Sequence, residues 1–137
     1  EGGLIAVDPL LFTAGNDTEV IIGSVGEEAV DVQIASAVER LGELDLVLSD
    51  MAPNISGIRE TDDAQMIYLI DSVLSVIDNF LKKGGSALIK VFQGDSLDYT
   101  RDALAYRFKT CKVVKPIASR PSSKETYLIG KKLKINE

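Results

Sequence analysis

Lys90 stands inside the apolar run Ala87-Leu88-Ile89-Lys90-Val91-Phe92. Lysine is seldom buried without a partner. A buried lysine is either held charged by an acid or gives up its proton more readily, and the second case makes it a usable base. Asp50 is a candidate acid: with Ser49 it ends the apolar run at residues 44–48. Glu125, in Ser122-Ser123-Lys124-Glu125-Thr126-Tyr127, is a candidate second acid. Asp8 ends another apolar run, Leu4-Ile5-Ala6-Val7; a carboxylate there can accept hydrogen bonds from ribose hydroxyls in a nucleoside-binding α/β fold. Each residue also has a plainer reading. Lys90 could be an edge lysine reaching water, and Asp50 could cap the loop that follows it. Glu125 could be an ordinary glutamate before a strand, and Asp8-Pro9 a turn opener.

Other chemistry is closed off. The 137 residues include no histidine and one cysteine, Cys111. Ser-His-Asp and Cys-His catalysis are excluded, as are His-based zinc sites, an intrachain disulfide and a thiolate metal cluster. Proton transfer falls to carboxylates, lysines, hydroxyls or backbone dipoles, and no metal is expected. No apolar run reaches the roughly 18 residues needed to span a bilayer. The net charge of −6 hides an asymmetry: residues 1–81 hold two bases against 16 acids, and residues 82–137 hold 13 bases against five acids. Lys109, Lys112, Lys115, Arg120, Lys124, Lys131, Lys132 and Lys134 make the C-terminal part a candidate phosphate-contacting surface, or else a solvated face.

These residues need elements to hold them, and the length predicts one domain. Residues 4–7, 19–22, 44–48, 87–92, 111–114 and 126–129 read as strands, several of them buried. Residues 27–41 read as a helix striped by Val30, Ile34, Val38 and Leu41 and stopped by Gly42. Residues 51–61 (MAPNISGIRET) read as a loop. Thr61-Asp62-Asp63 is predicted to cap a long helix over about residues 62–81, striped by Ile67, Ile70, Leu74, Ile77 and Leu81. Lys82-Lys83 would form its basic last turn and Gly84 its C-cap. A further helix is expected over about residues 97–108. The alternation predicts an α/β protein with a mostly parallel sheet, whose ligands sit at the carboxyl ends of strands. Asp8, Asp50 and the stretch Lys90-Val91-Phe92-Gln93-Gly94 fall there.

Three stretches together resemble the FtsJ/RrmJ-like family of RNA methyltransferases. They are Ser49-Asp50-Met51-Ala52-Pro53-Asn54-Ile55-Ser56-Gly57, Gly84-Gly85-Ser86 through Lys90-Val91-Phe92-Gln93-Gly94, and Lys115-Pro116 through Ser119-Arg120 to Glu125-Thr126-Tyr127. The resemblance implies a Rossmann-like, S-adenosylmethionine-dependent methyltransferase sheet with flanking helices. It implies methylation of a ribose 2′-hydroxyl of large-subunit ribosomal RNA, at a uridine, in the cytoplasm or an organelle. Asp50, Lys90 and Glu125 match three members of the family's Lys-Asp-Lys-Glu tetrad, with Lys90 as base and the acids positioning and tuning it. Cofactor contacts would come from Asp8, Ser24 and Asp50, with Ser24 standing where the family usually has an aspartate. RNA would meet Lys112, Lys115, Arg120 and Lys124, and the complete enzyme would be a monomer. The family's first strand, glycine-rich loop and first tetrad lysine would precede Glu1, so the resemblance implies an incomplete domain over residues 1–137, inactive alone. Two other readings remain: a catalytically inactive Rossmann-like binding module, and a 2′-O-methyltransferase for transfer RNA or an mRNA cap.

Overall fold

The computed structural model describes residues 4–8, 18–22, 26–50, 56–92, 94–115 and 125–134. These form β1 (Leu4–Asp8), β2 (Thr18–Ile22), α1 (Glu28–Leu41), β3 (Leu44–Ser49), α2 (Arg59–Phe80), β4 (Leu81–Phe92), α3 (Asp95–Arg107), β5 (Phe108–Val114) and β6 (Glu125–Leu133). The chain divides into two compact units, Glu1–Glu43 and Leu44–Glu137.

In the first unit β1 and β2 pair in parallel, from Leu4 opposite Thr18 to Asp8 opposite Ile22. The helix α1 carries Glu28 and Asp31 in its first turn and Arg40 in its last, an order that complements the helix dipole. Val30, Ile34 and Ala37 are its buried residues. Leu41 falls on the same stripe but is exposed, because the helix stops there at Gly42, whose φ is 95°.

The second unit is a four-stranded sheet in the order β3-β4-β6-β5. β3 and β4 are parallel, while β6 runs antiparallel to both β4 and β5. β3, β4 and β5 thus run in one direction and β6 alone is reversed, so the sheet is mixed but mostly parallel in direction, as the sequence predicted. The cause of the reversal is the connection between β5 and β6. Residues 115–124 carry no helical pattern and are shorter than the dozen or so residues a parallel crossover takes, so the chain returns in the opposite direction.

Ala87, Ile89 and Val91 of β4 and Leu128 of β6 pack with Met66, Ile70, Val73, Leu74 and Ile77 of α2, Leu104 of α3 and Phe108. Fully burying one such side chain is worth about 1.5–3 kcal/mol. In β4 these buried positions alternate with the half-buried Ser86, Leu88, Lys90 and Phe92. The period of two therefore sets Lys90 on the face turned away from this core. Arg107 ties α3 to α2 through a two-pronged contact with Asp78 at 2.8 and 2.9 Å.

Local differences from the sequence reading are instructive. α2 begins at Arg59, and its N-cap residue, Ile58, makes no side-chain cap. Asp62 instead reaches back to the loop. The helix ends at Phe80, and Lys82-Lys83-Gly84 belongs to the β4 span. There the pairing jumps from Leu44↔Leu81 to Leu46↔Ser86, so the chain bulges, with Gly84 at φ 84°. A side chain at Gly85 would lie 2.7 Å from Leu81, which is why this fold-back takes glycine. β3 is less buried than its composition suggests. It is an edge strand of the four-stranded sheet: Val47, level with Ala87, is buried in the core and Leu44 packs partly against it, while Leu46 and Leu48 are exposed.

Candidate active site

The register of three strands assembles the site. Ser49 lies opposite Ile89, so Asp50 follows level with Lys90 at the carboxyl end of the parallel pair. On the other side of β4, Lys90 faces Tyr127 and Phe92 faces Glu125. Directly opposed residues share a sheet face, and so do residues two apart. Lys90, Tyr127 and Glu125 therefore project together.

The Lys90 Nζ lies 2.5 Å from Asp50 Oδ1 and 3.8 Å from Glu125 Oε1. Its side chain is only 12% exposed, whereas Asp50 is 78% exposed. This is a shielded cation with an acid on each side, not a lysine stretching to water. The hydrogen bond to Asp50 raises the Lys90 pKa above the ordinary 10.5; burial opposes this, and the charges of Asp50, Glu125 and Tyr127 reinforce it. Of the two states the sequence left open for a buried lysine, the resting site matches the one held charged by an acid, with Asp50 as that acid.

α2 fastens Ser56 and Gly57, which lie just ahead of it. Asp62 accepts hydrogen bonds from the Ser56 amide and hydroxyl, both at 2.8 Å, and from the Gly57 amide at 3.2 Å. These bonds, the Ser56 amide foremost, hold the Asp62 carboxyl below its ordinary pKa. Sequence reasoning assigned Asp62 only to helix capping and passed over Tyr127. The spacing of two from Glu125 was the available signal for Tyr127.

Lys112 and Lys115 are exposed. Val114 pairs with Tyr127, which in turn faces Lys90, so Lys115 emerges at the same end of the sheet as the site. Lys112 lies lower on β5, opposite Ile129. Asp8 closes β1, but its side chain lies outside the described residues, as do Ser24, Arg120 and Lys124. Cys111 is a free thiol whose pKa is pushed up by burial, as suits an inert side chain. Among the described residues no cluster of three or more acids or thiols is placed to hold a metal ion. No helix among them is long and apolar enough to cross a membrane.

Known proteins bear on this geometry. The chain is 41% identical over 131 residues to ribosomal RNA large subunit methyltransferase E of Pseudomonas fluorescens, covering 95% of this chain and 62% of that protein. It is 43% identical to the protein of the same name in Acidithiobacillus ferrooxidans, covering 95% of this chain and 58% of that one. The chain thus spans about three fifths of the length of these relatives. Its fold is similar to that of a Plasmodium falciparum protein described as a ribosomal RNA methyltransferase, with a TM-score of 0.81 at 20% identity over 97% of this chain and 73% of that one. It is also similar to human methyltransferase-like protein 13, solved with SAH, with a TM-score of 0.59 at 15% identity over 88% of this chain and 51% of that one. The family pattern described as FtsJ-like methyltransferase matches residues 5–133, and the chain belongs to that family.

Proposed function

We propose that this chain carries the chemistry of an S-adenosylmethionine-dependent ribosomal RNA methyltransferase that modifies a ribose 2′-hydroxyl, with a uridine of the large-subunit RNA as its target. The observation that carries this reading is Lys90, shielded and held between Asp50 and Glu125 at the end of the sheet where α/β folds bind ligands. The names of the curated relatives supply the RNA class. The family match runs across both compact units, which supports reading residues 1–137 as parts of one methyltransferase domain. Action on ribosomal RNA as a monomer in the cytoplasm is part of the same proposal.

The donor set suits the cofactor. Two carboxylates around one lysine leave the site with a net negative charge, and the open Asp50 carboxylate can face a positively charged sulfur. Cofactor contacts from Asp50, Asp8 and Ser24, each expected from the family resemblance, are part of the same proposal. When bound, S-adenosylmethionine supplies a methyl group on an activated leaving group. The protein's own task is then alignment and one proton. Lys90 Nζ accepts the proton of the 2′-hydroxyl after giving up its own, and Asp50 and Glu125 fix where Nζ points. Lys112 and Lys115 contact RNA phosphates, with Arg120 and Lys124 completing that surface.

The test uses methyl-labelled cofactor and large-subunit ribosomal RNA, followed by alkaline hydrolysis. A methylated 2′-oxygen cannot attack the neighbouring phosphate, so the label is expected in an alkali-resistant dinucleotide. Label in mononucleotides, or none transferred, contradicts the reading. A second reading has its own observation: the raised Lys90 pKa fits an ammonium that only orients the ribose by charge.

A further inference from the structure

A second cationic feature lies away from the site. Lys83 of the β4 bulge, Lys109 of β5, and Lys132 and Lys134 of β6 line a groove of about 540 Å³ with Gly84 and Leu133. Lys82 beside it is matched by Asp45, and Lys134 donates to the carbonyls of Ala105 and Tyr106 at the end of α3. No carboxylate among the described residues pairs with Lys83, Lys109 or Lys132.

Two features of the backbone sharpen the point. Phe108 pairs with Leu133 and Thr110 with Lys131, so Lys109 and Lys132 stand at the same level of the ladder without being a paired position themselves. Like charges on neighbouring strands at one level repel. Lys132 also sits at φ 62°, a left-handed conformation that glycine or asparagine adopts more cheaply. A strained lysine level with another lysine is costly for the fold alone, and such strain gathers where a ligand is held. An anion between the two would relieve the repulsion.

Lys132 lies five residues along β6 from Tyr127, the partner of Lys90, or about 17 Å at roughly 3.4 Å per residue, so an anion in the lysine groove is out of reach of the reacting ribose. Lysines spread along one groove suit successive phosphates of a nucleic-acid backbone, and the RNA substrate proposed above supplies them. We propose that Lys83, Lys109 and Lys132 form a second RNA-phosphate contact at the end of the sheet remote from Lys90, gripping the substrate outside its reacting nucleotide. This rests on the RNA methyltransferase reading given above.

The experiment compares the protein with its Lys83→Glu/Lys109→Glu variant on large-subunit ribosomal RNA, measuring binding across a potassium chloride series and methyl transfer at saturating cofactor. The variant is expected to raise the RNA KM roughly tenfold and leave kcat unchanged. It should also reduce the slope of log affinity against log salt by about 1.4–1.8, the loss of two phosphate contacts. An unchanged slope and KM overturn the second contact even when methyl transfer is normal. If the unmodified protein binds RNA with a slope that falls in the variant yet transfers no methyl group, the second contact stands and the enzymatic reading fails. If the double reversal prevents cooperative melting, Lys83→Gln/Lys109→Gln must show the same fall of about 1.4–1.8 that the loss of two contacts gives, and an unchanged slope there overturns the contact.

Discussion

Lys90 is the residue where burial, charge and position meet. Its raised pKa sets the sign of two pH effects. The folded chain binds the Lys90 proton more tightly than the unfolded chain does. Stability from the Asp50 contact is therefore fully present below the ordinary lysine range and is lost as pH rises through the higher folded value. Lys90→Met should remove that alkaline loss, seen as a flatter profile of melting temperature against pH. Catalysis runs the other way: if Lys90 must shed its proton first, the single-turnover rate should rise about tenfold per pH unit from neutral pH into the alkaline range. A flat rate profile would favour the orienting ammonium. The sequence exposed Lys90 through a charged residue in an apolar strand, and Asp50 through its place after another. Glu125 was offered by local sequence only as a candidate second acid, because the antiparallel return of β6 that brings it to Lys90 is not displayed there.

At the scale of elements, strands and helices were largely legible because their apolar periods are strong. Their ends and directions were less so. The start of α2 was misplaced because Asp62 resembles a helix cap, yet it spends its carboxylate on Ser56 and Gly57. Asp62→Ala should speed hydrogen exchange at those two amides, and unchanged exchange would refute this fastening role. Because the Asp62 pKa is depressed, its contribution to stability is present above the ordinary carboxylate range and fades as pH falls through the lower folded value. Gly130 is a second constraint invisible in sequence: a side chain there would come within 2.7 Å of the Phe108 ring. Gly130→Ala should destabilise the four-stranded sheet by about 1–3 kcal/mol in denaturant melts, the usual range for overpacking.

For the whole molecule, the informative quantity was the distribution of charge rather than the net −6. The basic residues of the C-terminal part separate in the structure. Lys115 emerges at the end of the sheet that holds Lys90, and Lys83, Lys109 and Lys132 gather at the other. Sequence order could not reveal this split, because it follows from strand direction. Charge reversal of Lys112 and Lys115 should weaken RNA binding and flatten its salt dependence, and an unchanged slope would place the RNA on another face.

The central claim is that Lys90 manages the proton of the ribose hydroxyl, and single-turnover methyl transfer by Lys90→Ala and Lys90→Arg, with RNA binding measured alongside, tests it most directly. Arginine keeps the positive charge but cannot give up its proton. Both variants are expected to bind RNA normally and to lose methyl transfer together, by about 100-fold or more. Transfer at the unmodified rate in Lys90→Ala, or its recovery in Lys90→Arg, would contradict the account.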